Sequence, residues 1–278
     1  MEHRLYCPVF LNTMKLSKTT AAFAGFYVLL VLWWVFILVT KMQNTFQNYA
    51  FAFAYGLLPL FGGITGMMGA KKWGFFKSAV GKALVFMSLG LITWGIGEMI
   101  WSYYNFALQV EIPYPSWADA FFIISWPLWS IGVYFLSFAT GAHFGLKTKA
   151  GKTLILVVPI LAVAASYYLL ITVARGGEFV LSDEAFKAFF DLAYPIGDVV
   201  ILTLASLMYG LSFKYLGGRF KWPVLIFLLG FVANYVADFG FSYTTTVGTF
   251  YNGNWVDLSF TTAMFLMVLG VNSMDMKG

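Results

Sequence analysis

Long apolar runs, each broken by a short polar turn, repeat along the whole chain. Eight of them reach the roughly 20 residues that a helix needs to cross a bilayer. They lie near Thr20–Val39, Asn48–Gly69, Ala83–Asn105, Trp117–Gly141, Thr153–Val173, Ala185–Ser212, Trp222–Tyr243 and Trp255–Asn272. The pattern predicts an all-α, polytopic membrane protein of eight transmembrane helices. It divides the chain into an N-terminal segment at 1–19, one membrane domain at 20–272 and a short tail at 273–278. The first run is too long for a signal peptide and lacks a small-residue cleavage site, so it reads as a retained anchor. Met14 offers a second start, which would make residues 1–13 dispensable.

Composition agrees. The chain is 60% hydrophobic and only 10% charged, against roughly 25% charged in soluble domains. Its 30 Phe, 16 Tyr and 10 Trp exceed what two interfacial belts require and predict aromatic packing between helices. Of the 17 Lys and Arg, 14 fall on one side of the predicted bilayer: the N-terminus, the even-to-odd turns and the tail. Only Lys41, Arg175 and Lys187 fall on the other. Positive charge marks the cytoplasmic side, so both termini are expected there. The same distribution explains the net charge of +5 without nucleic acid, since the charges are spread over short turns.

The runs also repeat one another. Gly90, Trp94, Glu98 and Ser102-Tyr103 match Gly230, Asn234, Asp238 and Ser242-Tyr243 at a shift of 140, and Trp117-Ala-Asp119 matches Trp255-Val-Asp257 at a shift of 138. Ala120-Phe-Phe with Trp126-Pro127 matches Ala188-Phe-Phe with Tyr194-Pro195 at a shift of 68. Ser166-Tyr-Tyr echoes Ser102-Tyr-Tyr. The repeat unit is a helical hairpin in parallel copies at 83–141, 153–212 and 222–272. A degenerate copy is expected at 20–69, marked by Tyr55 and Pro59.

Candidate chemistry lies in six acids placed in or at the mouths of these helices: Glu98, Asp119, Asp191, Asp198, Asp238 and Asp257. Carboxylates at membrane depth cost about 2.5–3.5 kcal/mol to insert and normally face a cavity or a partner. Alternation of the helices puts all six in the extracytoplasmic half. Glu98, Asp198 and Asp238 are the deepest. Asn234 lies one turn from Asp238, Glu98 is flanked by Trp94 and Trp101, and Tyr194 lies between Asp191 and Asp198. These residues are the expected ligand site. Asp119, Asp191 and Asp257, with Trp117, Trp255 and Tyr114, are expected at its outer mouth, under lids formed by Glu111–Asp119 and Phe250–Asp257. Aromatic rings beside carboxylates suit an organic cation; a bare proton or metal cation is the alternative. The bland reading is that Asp119 and Asp257 cap helices and that the deeper acids are neutral and hydrogen-bonded between helices. Pro127 and Pro195 predict kinks.

Other chemistry finds little support. Cys7 is the single cysteine, and His3 and His143 lie outside the predicted spans, so no metal, haem or other cofactor is expected. Ile196-Gly-Asp198 resembles part of an intramembrane aspartyl protease motif, but Pro195 replaces its first glycine and no second motif is evident. No helix carries a buried lysine for a retinal. An enzyme is not expected.

Together, Trp94-x-x-Gly-Glu98-x-x-Trp101, Pro113-Tyr-Pro-Ser-Trp-Ala-Asp119, Tyr194-Pro-x-x-Asp198 and Ala237-Asp238 with Trp255-x-Asp257 resemble the multi-helix membrane sensory region found ahead of diguanylate cyclase and phosphodiesterase domains in bacterial signalling proteins. The resemblance spans about residues 50–272. It implies a multi-pass module of the prokaryotic inner membrane that senses a small ligand, proton or cation and signals to a cytoplasmic partner. In that family an output domain follows the last helix; this sequence ends at Gly278, so second-messenger synthesis is not expected of it. Rival expectations are a cation- or proton-coupled transporter, and a structural subunit that uses Gly62, Gly63, Gly66 and Gly69 to associate with a neighbour. Beyond a partner or ligand, the expected surroundings are membrane lipid.

Overall fold

The computed structural model describes residues 17–110, 112–178, 183–212 and 220–274. It is 85% helical, and no strand occurs among the described residues. The helices are α1 (Lys18–Val39), α2 (Phe46–Lys72), α3 (Ala79–Ser102), α4 (Trp117–Ala139), α5 (Ala142–Gly145), α6 (Lys149–Ser166), α7 (Ala185–Ser212), α8 (Lys221–Thr246) and α9 (Trp255–Ser273). All but the one-turn α5 are long and apolar enough to cross a membrane, as a multi-pass membrane protein requires. His143 lies in α5, outside the spans as expected. His3, Cys7, Met14, Glu111, Lys214, Arg219 and Lys277 lie outside the described residues.

Helix starts follow from local side-chain chemistry. The first turn of a helix leaves backbone N–H groups without intrahelical partners. Ser17, Ser78 and Thr148 accept from Thr20, Gly81 and Gly151 N–H at 3.1, 2.9 and 3.0 Å. Capping boxes start α2 (Thr45 with Asn48) and α4 (Ser116 with Asp119). The described spans extend one to four residues beyond several of the apolar runs, because polar residues such as Lys149 continue the helix past its apolar stretch. Pro59, Pro127, Pro159 and Pro195 all sit inside helices without ending them. α3 and α6 instead change geometry at their Ser-Tyr-Tyr sequences, continuing as π-helical turns over Tyr103–Leu108 and Tyr167–Val173.

Packing closes six helices into a ring: α2 on α3, α3 on α4, α4 on α7, α7 on α8, α8 on α9, and α9 back on α2. α1 lies outside on α2 and α9, and α6 lies outside on α7. The outer pair accordingly presents many exposed apolar side chains, among them Leu29, Leu32, Leu156 and Ile160. Such a surface is suited to lipid.

Close approach depends on glycine. A Cβ on Gly90 would meet Trp129, and one on Gly230 would meet Met267; a Cβ on Gly132 would meet Met87, and one on Gly270 would meet Phe227. Gly62, Gly63 and Gly66 face Val268, Ser88 with Ile92, and Val271, so this glycine face is filled within the bundle, while Gly69 has open space. Aromatic contacts between helices are as extensive as the composition predicts. Trp94 alone packs on Tyr55, Phe122 and Phe260 at 6.1, 5.3 and 5.8 Å between centroids.

Candidate functional site

All six candidate acids fall toward one end of the bundle, the end that carries the α3–α4 and α8–α9 loops. The structure gathers them in two groups built from different helices.

The first group joins α4, α7 and α8. Its anchor is Asp119 at the third position of α4. The Ser116 N–H and hydroxyl both donate to Asp119 Oδ2, at 2.7 and 2.8 Å, and the Tyr194 hydroxyl of α7 donates to Oδ1 at 2.6 Å. Asp119 is therefore both a cap and a bolt between two spans. One turn below Tyr194, Asp198 is buried and its carboxyl meets that of Asp238 from α8 within hydrogen-bonding reach. A carboxylate has no hydrogen to donate, so a hydrogen bond between the two requires a proton on one of them. The Asn234 amide, one turn before, donates to Asp238 Oδ2 at 2.6 Å, and its own Oδ1 is buried without a partner.

Above this pair the side chains become more exposed. Tyr114, in the α3–α4 loop, is 46% exposed and donates to Asp191 Oδ1 at 2.9 Å. Burial of the rest of the ring, then the Asp191 carboxylate, hold the Tyr114 phenol above its ordinary pKa. Lys187 Nζ lies 5.9 Å from the Tyr114 ring centroid. By sequence Arg175 lies in the loop between the fifth and sixth predicted spans. In the structure its Nε donates to Ser242 Oγ at 3.4 Å and its charge reaches Asp198 and Tyr114. A cation therefore partly balances Asp198.

The second group joins α2, α3 and α9. Glu98 is 3% exposed; the Tyr55 hydroxyl lies against its carboxyl, and Asp257 lies within electrostatic reach of both. Glu98 Oε1 is buried and has no hydrogen-bond partner. Asp257, in the first turn of α9, accepts from Gly253 N–H at 2.5 Å. Glu98 thus keeps company with Asp257 and Tyr55, and Asp198 with Asp238 and Arg175.

The α8–α9 loop closes over the second group. Trp101 Nε1 donates to Asn252 Oδ1 at 3.2 Å, Asn48 Nδ2 to the Asn252 carbonyl at 2.7 Å, and Trp34 Nε1 to the Asn254 carbonyl at 2.9 Å. Gly253 adopts φ +81°, a left-handed conformation suited to glycine. Asn252 and Asn254 are both buried. Trp94 walls the interior on this side. Trp101 serves as a strap, packed on Phe241 and Phe250 at 6.0 and 6.5 Å. Trp117 and Trp255 are 72% and 45% exposed, as rings at a membrane–water boundary are; Trp255 also fills the space beside Gly240.

The two groups have the same make-up. Each has a tyrosine from one span (Tyr55 or Tyr194), an aspartate in the first turn of a second (Asp257 or Asp119), and an acid from a third (Glu98 or Asp238). Tyr55 carried only a weak signal in the sequence, through Pro59 one turn on; Tyr194 precedes Pro195 directly, which obscured the correspondence. Among the described residues no cluster of three or more His, Cys, Asp or Glu has the arrangement of a metal centre. No family model matches the chain, and neither does any curated protein or solved structure.

Proposed function

We propose that the chain is a sensory or receptor-like module of the prokaryotic inner membrane, with the acid-bearing end outside and both termini in the cytoplasm. The ligand, a proton, a cation or a small organic cation, enters beneath Tyr114 and Asp191. It acts on the Asp198–Asp238 pair, and the response passes to a cytoplasmic partner. The observation that carries this reading is the meeting of two carboxyl groups from different helices beneath a half-exposed tyrosine. Adding a cation, or moving the proton between them, changes the force joining α7 to α8. A ligand shifts a conformation only through a difference in affinity between two states, and a pair spanning two helices supplies one. The lysine-rich turns at the far end, with Lys71, Lys72 and Lys77 among them, support the orientation.

The architecture supports an ancestral duplication. Gly90 on Trp129 corresponds to Gly230 on Met267, and Gly132 on Met87 to Gly270 on Phe227, each with shifts of 140 and 138. The acid groups correspond by the same operation, which exchanges α2, α3 and α4 with α7, α8 and α9. This correspondence also favours a second reading, a cation- or proton-coupled transporter, because paired repeats around membrane acids suit alternating access.

The test uses nanodisc-embedded protein carrying spin labels at positions 77 and 149 on the basic end. Lowering the pH from 8 to 5.5, or adding small organic cations, is expected to shift the interlabel distance. Asp198→Asn and Asp238→Asn are expected to remove the shift. An unchanged distance in all three proteins overturns the sensory reading. Flux into proteoliposomes, driven by a proton or sodium gradient and lost in the same variants, establishes the transporter instead.

A further inference from the structure

We propose that Glu98, Asp257 and Tyr55 form a second binding site, separate from the outer one, that takes a single monovalent alkali cation of sodium size.

The argument starts from charge. Asp257 has its negative charge answered locally: Gly253 N–H donates to it, and it occupies the first turn of α9, where the helix dipole favours an anion. Glu98 lies near the end of α3, beyond the reach of any helix N-terminus of its own, and has no such help. Its neighbours are a phenol and another acid. With both acids ionised one negative charge is left over, and one positive charge balances it.

Hydrogen bonding selects a cation over a proton. Glu98 Oε1 is buried without a partner. A proton on this carboxyl is answered by the Tyr55 hydroxyl alone and leaves Oε1 without a partner, since Glu98 and Asp257 interact by charge and not by a hydrogen bond. A cation has no such directional demand and bridges two carboxyl groups that make no hydrogen bond to each other. The available donors are all oxygens, which suits hard cations. Calcium takes six to eight oxygen ligands and magnesium retains several waters. The walls here are Trp94, packed on Tyr55 and Phe260, and Gly56, whose Cβ would lie 2.6 Å from Glu98 Cγ. These close walls favour a small ion of low charge over a hydrated divalent one.

Access separates this site from the outer one. Its lid, Asn252–Asn254, is buried and strapped by Trp34, Asn48 and Trp101, whereas Tyr114 above the outer group is 46% exposed. The corresponding positions also differ in chemistry. Trp94 stands where the other group has Asn234, and Pro59 stands where it has Asp198. Glu98 is thereby left to one cation, while Asp238 is left to a second carboxyl.

Dicyclohexylcarbodiimide, which modifies protonated carboxyl groups in apolar surroundings, reads the site directly. Nanodisc-embedded protein is labelled near pH 6 in sodium chloride or in choline chloride, and the modified residue is located by mass spectrometry. Labelling of Glu98 is expected to fall at least tenfold in sodium. Asp257→Asn is expected to raise the sodium concentration needed for protection. Asp238→Asn, which alters only the outer pair, is expected to leave protection unchanged, so this site stands or falls apart from the sensory reading. As a second measurement, sodium is expected to raise the Tm of the wild type but not that of Glu98→Gln, with folding of the variant verified by circular dichroism and gel filtration. Equal labelling of Glu98 in sodium and choline, or equal sodium-induced Tm shifts in wild type and Glu98→Gln, overturns the proposal.

Discussion

The phenol of Tyr194 in α7 donates a 2.6 Å hydrogen bond to Oδ1 of Asp119 at the start of α4, and the other oxygen of that carboxylate holds Ser116. One side chain therefore fixes a helix start and locks two spans together. Tyr194→Phe leaves Asp119 Oδ1 buried without its partner. The expected loss is about 1–3 kcal/mol, the cost of an unsatisfied buried acceptor, read as a lower Tm in detergent. Ser116→Ala is expected to cost about 0.5–2 kcal/mol as a lost cap.

Asn48 makes four hydrogen bonds. Oδ1 accepts from Thr45 N–H at 3.1 Å and from its hydroxyl at 2.7 Å, while Nδ2 donates to the Met42 and Asn252 carbonyls at 3.1 and 2.7 Å. The residue is fully buried. Asn48→Ala is expected to cost about 2–4 kcal/mol, taking each bond near 1 kcal/mol. It also frees the α8–α9 loop. Hydrogen exchange at residues 252–254 is expected to rise more than at α3 or α4, and equal exchange across the molecule would contradict the strapping role.

Glycine substitutions separate packing from mere presence in a helix. A Cβ at Gly197 would lie 1.9 Å from the Trp126 ring, whereas nothing lies within 4 Å of one at Gly69. Gly197→Ala is expected to lower stability by about 1–3 kcal/mol through overpacking. Gly69→Ala is expected to raise it by about 0.5–1 kcal/mol through the lower entropy of the unfolded chain. Thermal melts of the two variants make the comparison.

Much of this architecture is readable from sequence because its cause is local. The start of α7 at Ala185 and of α9 at Trp255 follow from where apolar runs begin. The capping role of Asp119 and Asp257 follows from their place in a first turn. What the runs do not reveal is which helices touch. Glu98, Asp198 and Asp238 have similar depth and similar neighbours in the chain, yet Glu98 meets Tyr55 and Asp257 because α2 and α9 close the ring beside α3. Arg175 is a loop residue by sequence, and its reach to Ser242 depends on how α6 packs outside the ring. The glycines of α2 read equally well as an association surface. Only the positions of Val268 and Val271 on α9, and of Ser88 and Ile92 on α3, place three of them inside.

Tyr114 gives a pH dependence outside the membrane-spanning segments. Its phenol is held above the ordinary value near 10, so the folded state keeps its proton where the unfolded chain releases it. The stabilisation this gives is fully present below about pH 10. It is lost as the pH rises from there through the folded-state value. The Tm of the wild type is therefore expected to fall more steeply above pH 10 than that of Tyr114→Phe, which has no phenol to ionise. Parallel curves for the two proteins would contradict the assignment.

The Asp198–Asp238 pair separates two properties that a simple deletion confounds. Asp198→Asn retains size and supplies an amide N–H that donates to Asp238 in place of the shared proton. It is expected to change stability by less than about 1 kcal/mol, since a hydrogen bond of similar strength is restored. Asp198→Ala leaves Asp238 with Asn234 alone and a void between α7 and α8. It is expected to cost about 2–4 kcal/mol, adding an unsatisfied acceptor to a small cavity. Both variants lack the shared proton, so both are expected to lose the pH-dependent movement at the basic end. Loss of stability in the alanine variant alone, with loss of response in both, identifies the pair as a switch as well as a structural contact. If the asparagine variant keeps the full response, the pair serves packing only.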